Sequence, residues 1–199
     1  MIPNQNKKFK LKPLEITCKS TDCENNLHCF NLTKKMKQSI EDGCCRECGT
    51  KLIDRNRTKM RNLEDIDYTF ESLKRELWRH YYWHIEIDIA AINHAKRKGF
   101  SGMRIASKKR IQTAVALPAT SWDGRQTPKE GNALFYAQHA TATCCRHCIE
   151  EWHGISQREQ LTDTQIEYFS KLLMLYIEER LPFLSENGKY VPRLSNTYY

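Results

Sequence analysis

The stretch that decides the fold is QTPKEGNALFYAQHATATCCRHCIEEWHGI, residues 126–155, which holds three cysteines, three histidines and a tryptophan. Its apolar run, residues 134–137, predicts a short strand. Residues 144–152 are compatible with a helix that stops at Gly154. The small residues between the two let the backbone turn closely. The stretch therefore predicts a Cys/His motif at a strand–helix junction.

The soft ligands of this stretch are spaced as a tetrahedral metal accepts them. Cys145 and Cys148 are separated by two residues and His153 follows after four more, with Cys144 and His139 close by. The first intervals are those of a zinc knuckle, but the ligand expected after His153 is missing. The fourth ligand would then come from His139, from Cys144 or from elsewhere in the fold.

A second cysteine-rich segment lies near the N-terminus. Cys45 and Cys48 precede a glycine in a Cys-x2-Cys-Gly knuckle, whose tight turn points backbone amides at the thiolates. The opposing pair is either Cys18 and Cys23 or Cys23 and Cys29. Residues 1–54 are therefore predicted to form a zinc ribbon, and alternation over residues 9–16 predicts a half-exposed strand within it.

Two details of this ribbon stay open: His28 can replace Cys29, and Cys44 can be a spare thiol. The alternative to a metal site is a set of buried core thiols, which a segment so short and polar could not hold together by apolar burial. The candidate metal ligands of the whole chain are Cys18, Cys23, Cys29, Cys45, Cys48, His139, Cys144, Cys145, Cys148 and His153.

Composition places these ligands in an ordinary soluble chain. The 199 residues support one domain, or one domain with a small attachment, and 32 Lys and Arg against 24 Asp and Glu leave a net charge of +8. No secretory segment or apolar run near eighteen residues is present, so we expect a cytoplasmic protein without membrane contact. In that reducing compartment the two cysteine clusters predict zinc, two ions in all, rather than disulfides.

The rest of the chain is helical in pattern, and a long amphipathic helix is predicted to begin near Glu64 or Asp67. Residues 64–184 are predicted to form an α-rich domain, and residues 185–199 a polar tail. The last helix of the α-rich domain is predicted to start at a capping box formed by Thr162 and Gln165. Gly99 is expected to end an earlier helix in a left-handed cap. The predicted fold class is thus α+β, mainly α, with a small N-terminal zinc ribbon before the α-rich domain.

A basic stretch runs from residue 96 to residue 110, with seven cations and no acid. Such a stretch favours binding to phosphate groups of a nucleic acid, although a solvated helix face has the same composition. The cations expected to contact phosphate are Lys96, Arg97, Lys98, Arg104, Lys108, Lys109, Arg110 and Arg125.

Residues 124–128, 137–146 and 152–153 read GRQTP, AQHATATCCR and WH. They resemble the signature of a bacterial family known only as a domain of unknown function, DUF4186, and a looser resemblance covers residues 96–184. The loop after Trp152 and His153 departs from the family, because Ile155 is followed by Ser156 and not by proline. The resemblance implies no activity.

We expect a zinc-binding protein that binds nucleic acid or serves as a subunit of a nucleic-acid-processing assembly. One alternative is a zinc-dependent hydrolase, in which an open coordination position activates water. Another is a purely structural subunit of a protein complex. A deaminase is disfavoured, because no glutamate stands two residues after His139.

Overall fold

The computed structural model describes residues 16–119 and 126–192, and these residues are mainly helical. The α-helices in these ranges are α1 (Arg55–Met60), α2 (Ile66–Leu73), α3 (Leu77–His84), α4 (Ile89–Ala114), α5 (Ala133–Ala140), α6 (Arg146–His153) and α7 (Asp163–Arg180). Short 3-10 helices span Cys23–Asn25, Met36–Gln38 and Leu63–Asp65. Within the described ranges the only β structure is three isolated bridges. The mainly helical part of the predicted fold class is therefore confirmed, whereas the α+β class and the N-terminal zinc ribbon are not. Most of the strand predicted at residues 9–16 lies outside the described residues.

Helix α7 is the centre of the hydrophobic core, and α2, α4 and α5 pack against it. Phe169, Leu172, Leu173, Tyr176 and Ile177 repeat at helical spacing along it, and all are fully buried. The predicted capping box at its start is confirmed, with both of its reciprocal hydrogen bonds formed.

The strand predicted at residues 134–137 is wrong, because these residues belong to α5. Asn132 caps this helix by accepting a hydrogen bond from the Leu134 amide at 3.0 Å. Nearly every residue of α5 is buried, so its sequence has no polar face to mark the helical period. A short apolar run of this kind does not distinguish a buried strand from a buried helix. The Cys/His motif therefore lies at a helix–helix junction.

The helix pattern that begins near residue 64 is interrupted before α3 by the N-terminal segment. His28 forms a parallel bridge with Glu76, the extended residue that precedes α3. The His28 amide donates to the Arg75 carbonyl at 2.8 Å, and the Leu77 amide donates to the His28 carbonyl at 2.9 Å. The Arg75 carbonyl and the Leu77 amide thus pair with His28 and not within one continuous helix, so the helix is divided into α2 and α3.

Gly99 has the expected positive φ of 63°, but the chain resumes its helix at once, so α4 is one kinked element. Part of the predicted tail crosses this kink. The Phe100 amide donates to the Ser185 carbonyl at 2.9 Å, and the Lys189 amide donates to the Lys96 carbonyl at 2.9 Å. The kink exposes backbone groups that the crossing segment pairs.

The cysteine-rich N-terminal segment shares a hydrophobic cluster with the motif. Phe30 and Ile53 pack with Leu73, Ala142 and Trp152, all of them buried. The Phe30 and Trp152 rings meet edge to face, with centroids 5.8 Å apart. This cluster holds the segment beside α6. None of the described helices combines the length and the apolar character that a membrane crossing needs.

Candidate metal centres

The first candidate centre brings Cys23, His28, Cys45 and Cys48 together, with one ligand atom of each within 4.8 Å of all the others. The sulfurs of Cys23 and Cys45 are 3.7 Å apart, and the Cys48 sulfur is 3.6 Å from His28 Nδ1. Tetrahedral zinc at about 2.3 Å from sulfur and about 2.0 Å from nitrogen separates two sulfurs by about 3.8 Å and sulfur from nitrogen by about 3.5 Å. The two measured separations are therefore close to those of a zinc tetrahedron, and the donor set can hold a metal ion.

The residues after Cys45 form a tight backbone turn, as the Cys-x2-Cys-Gly pattern predicts. The Cys45 amide donates a hydrogen bond to the Thr50 carbonyl at 2.9 Å, and the Gly49 amide donates one to the Cys45 carbonyl at 3.0 Å. Gly49 has a φ of 71°, which glycine adopts without strain. The Glu47 amide points at the Cys45 sulfur at 3.5 Å, as expected for a thiolate-binding turn.

His28 is oriented to offer Nδ1 as a ligand. Its Nε2 lies 3.1 Å from Asn26 Oδ1, and this amide oxygen can only accept, so Nε2 carries the proton. Burial lowers the pKa of His28, which favours the neutral imidazole that a metal requires. This residue is the alternative to Cys29 that the sequence left open.

Crowding of the sulfurs in the first centre disfavours ionisation of all its thiols together unless a cation is present. Desolvation, followed by the thiols of Cys45 and Cys48, raises the pKa of Cys23 to about 12. Hydrogen bonds with Thr50 lower the pKa of Cys48 to about 7. Several thiolates in one small volume repel each other, and a divalent cation removes that repulsion.

The second candidate centre consists of Cys144, Cys145 and Cys148, whose sulfurs all lie within 4.8 Å of one another. Those of Cys144 and Cys148 are 3.5 Å apart, close to the edge of a zinc tetrahedron. The turn between α5 and α6 places them: Ala142 has a φ of 55°, and Cys145 is the N-cap residue of α6. Hydrogen bonds from the other two thiols lower the pKa of Cys145.

A buried arginine contacts this centre. Arg79 lies on α3 and is 2% exposed, and its guanidinium donates to the Cys148 sulfur at 3.3 Å and approaches the Cys144 sulfur at 3.9 Å. It also donates to the Glu76 carboxylate at 2.9 Å. Trp152 of the motif donates from Nε1 to the same carboxylate at 2.7 Å. A cation in this position stabilises thiolates, and so prepares them to bind a metal.

The two histidines predicted as ligands lie outside both groups. His139 Nε2 is 3.1 Å from the Thr127 carbonyl, and His153 Nε2 is 3.1 Å from the Thr141 carbonyl. Each carbonyl can only accept, so each ring donates and ties a loop to a helix. Burial lowers the pKa of His139 to about 4 and that of His153 to about 3, so both rings are neutral at pH 7.

Cys18, Cys29 and Cys44 also lie outside the two groups. Cys29 is fully buried, and its thiol donates to the Cys18 carbonyl at 3.3 Å. Burial raises the pKa of Cys29 to about 11. Cys44 is buried beside the knuckle, consistent with a spare thiol. Cys18 lines a narrow cavity next to the second centre, and Cys148 lines the same cavity.

The basic stretch of α4 is partly engaged within the protein. Arg104 pairs with Glu186 at 2.6 Å, and Lys108 pairs with Glu167 at 3.3 Å. Arg110 donates to the Gln138 side chain at 2.7 Å. These contacts leave fewer cations for an external phosphate than composition implies.

Five further cations complete the predicted phosphate-binding set. The Lys96 ammonium lies 5.5 Å from the centre of the Phe183 ring. Arg97, Lys98 and Lys109 form no ion pair with any residue in ranges 16–119 and 126–192. Arg125 lies outside the described residues.

Sequence reasoning did not single out Glu76 and Arg79, the charged pair beneath the second centre. Both are 2% exposed. A signal was present, since opposite charges three residues apart flank Leu77 and Trp78 at the start of an aromatic helix. Charged residues on a helix are usually solvated, so this spacing alone does not predict a buried pair.

No solved structure matches this chain. A family model, described as a domain of unknown function (DUF4186), matches residues 67–178. The match begins earlier than residue 96, where the looser resemblance started, and so includes Glu76 and Arg79 together with the second centre. The first centre precedes it. Because the match covers more than half of the chain, this protein belongs to the DUF4186 family.

Proposed function

We propose that this protein binds two zinc ions that stabilise its structure, and that it acts as a binding subunit rather than as a hydrolase. The observation that carries the proposal is the spacing of the donor atoms. Separations of 3.7 Å, 3.6 Å and 3.5 Å within the two groups match the edges of a zinc tetrahedron.

The chemistry of the donors favours zinc over other metals. Thiolate with imidazole suits zinc, whereas calcium and magnesium take oxygen ligands. An iron–sulfur cluster distributes its cysteines over different irons, which requires more widely spaced sulfurs than the 4.8 Å limit within both groups. A single small ion fits each group better than a cluster does.

The second centre does not favour hydrolysis. Its adjacent cavity has a volume of about 10 Å³, close to that of one water molecule, and so has no room for a substrate. The Glu76 carboxylate at this cavity accepts hydrogen bonds from Arg79 and Trp152 at Oε2 and forms a buried ion pair with Arg79, a structural arrangement. These features favour a closed, structural site.

The experiment is elemental analysis of zinc per chain in wild type and in two double variants. We expect two zinc ions in wild type, one in Cys45→Ser/Cys48→Ser and one in Cys145→Ser/Cys148→Ser. Cys44→Ser is the matched control, because this cysteine adjoins the first group without belonging to it, and it should keep both ions. Two ions in the Cys145→Ser/Cys148→Ser protein would refute the second site.

A second candidate function is nucleic-acid binding through Arg97, Lys98 and Lys109 of α4. The observation that favours it is that these three cations form no ion pair with an acidic residue in the described part of the chain. The full sequence also carries a net charge of +8. Phosphate contacts by such cations give binding that weakens steeply with salt. A protein partner with an acidic surface would use the same residues.

A further inference from the structure

We infer that Cys18 is the fourth ligand of the second centre, so that a single zinc ion joins the N-terminal segment to the turn between α5 and α6. The inference rests on the proposed function, because it requires a metal at Cys144, Cys145 and Cys148. It moves Cys18 from the zinc ribbon, where sequence spacing suggested it, to a site more than a hundred residues away along the chain.

Cys18 lies beside the second centre, which lacks a fourth ligand. Three sulfurs occupy the second centre, and a structural zinc takes four protein ligands. Cys18 and Cys148 line the same cavity of about 10 Å³, together with Arg79. The Cys18 sulfur does not belong to the group whose members all lie within 4.8 Å of one another, so coordination requires its side chain to turn toward them by a change of rotamer.

The backbone around Cys18 is held in a turn that presents this side chain. The Ser20 amide donates to the Thr17 carbonyl at 3.0 Å, and the Thr17 amide donates to Ser20 Oγ at 3.0 Å. The buried Cys29 thiol donates to the Cys18 carbonyl at 3.3 Å. The Cys18 main chain is therefore anchored on both sides, while its own thiol is half-buried at the cavity.

The other donors near the cavity are less suited. Glu76 is held by Arg79 and Trp152, and Glu151 pairs with Lys37 at 3.0 Å. His147 also lines the cavity, but it is exposed on α6.

Cys18 instead gives a uniform set of four thiolates, the donors that zinc prefers in closed sites. Zinc coordination by Cys18 would also hold the N-terminal segment against the turn between α5 and α6. The first centre lies wholly within residues 23–48 and cannot tie the segment to the family domain. A ligand from Cys18 adds a metal-mediated link beside the apolar cluster of Phe30 and Trp152.

The test is cadmium NMR of the full chain loaded with cadmium, whose chemical shift reports the number of thiolate ligands at each ion. We expect two resonances, and Cys18→Ser should move only the one that Cys148→Ser also moves. Chelator competition should show at least about tenfold weaker binding at that site alone. Cys44→Ser is the matched control and should leave both resonances in place, because Cys44 belongs to neither group.

Two outcomes would overturn the inference: a folded Cys18→Ser protein with both resonances unmoved, or one in which the first-centre resonance moves. A wild-type spectrum with a single resonance would instead contradict the proposed second site itself. If Cys18→Ser does not fold, alkylation of wild-type thiols decides. Protection of Cys18 that is lost on adding a chelator supports the link, and equal labelling with and without metal refutes it.

Discussion

Replacing Arg79 with methionine is the sharpest test of how the second centre is supported. Methionine has a similar length but no charge. In wild type the guanidinium donates to the Glu76 carboxylate at 2.9 Å, to the His139 carbonyl at 2.8 Å and to the Cys148 sulfur at 3.3 Å. Arg79 and Glu76 are both 2% exposed, so Arg79→Met leaves a buried carboxylate without its charge partner.

The loss of free energy of unfolding is set by this uncompensated charge. Removing one member of a buried ion pair costs about 3–5 kcal/mol. With a urea slope of about 2 kcal/mol/M, the unfolding midpoint of Arg79→Met should fall by about 1.5–2.5 M. Zinc affinity at the second centre should also fall, since Cys148 loses the cation that stabilises its thiolate.

The assay is urea unfolding of zinc-loaded protein, followed by circular dichroism. Arg75→Met is the matched control: Arg75 is exposed just before the same helix, and its replacement should cost less than about 1 kcal/mol. The double variant Glu76→Gln/Arg79→Met should be more stable than Arg79→Met, because its buried carboxylate is gone. A loss below about 1 kcal/mol in Arg79→Met, or a double variant no more stable than the single one, would refute this reasoning.

Three further outcomes are expected. Burial lowers the pKa of His153 to about 3 from an unfolded value near 6.5, so protons bind the unfolded chain preferentially and stability falls as pH drops below 6.5. Between pH 8 and pH 5, wild type should therefore lose about 2 kcal/mol more free energy of unfolding than His153→Gln, as measured by urea unfolding. Gly99→Ala should cost about 1–3 kcal/mol in the same assay, because its φ of 63° disfavours a side chain and the new Cβ meets the crossing C-terminal segment. Arg97→Gln/Lys98→Gln/Lys109→Gln should weaken binding to single- or double-stranded oligonucleotides and reduce the slope of log affinity against log salt by up to about 3.

Each of these outcomes has its own control. An equal pH dependence in His153→Gln and wild type would assign the effect to other groups. Gly131 also has a positive φ, but it has open space around it, so Gly131→Ala should cost less than Gly99→Ala; equal costs would rule out a clash with Asn187. Lys34→Gln/Lys35→Gln removes exposed charge elsewhere, and the same loss of nucleic-acid affinity in that variant would contradict a specific role for α4.

Local chemistry was readable from the sequence wherever a few adjacent residues decide the structure. Thr162 and Gln165 form their capping box because both partners lie within one turn. Gly49 takes a positive φ because the Cys-x2-Cys turn requires one there. The family signature was likewise contained in residues 124–153, and the family match confirms it.

Predictions failed where distant residues decide the conformation. Residues 134–137 are helical and not a strand, because burial on all sides of α5 removed the polar positions that mark a period. The helix pattern after residue 64 breaks before Leu77 because His28 pairs with its backbone. Neither the burial of α5 on all sides nor the pairing with His28 can be predicted from neighbouring residues in the sequence.

The sequence by itself determined which donors exist: nine cysteines in two clusters, with histidines beside both. Only the tertiary structure decided the grouping. His28 joins Cys23, Cys45 and Cys48, whereas Cys29 points away from them to the Cys18 carbonyl. The physical reason is that the ligands of one metal ion must lie within a few ångströms of one another. Residues far apart along the chain meet this condition only when long-range packing and buried charge pairs fix the course of the backbone.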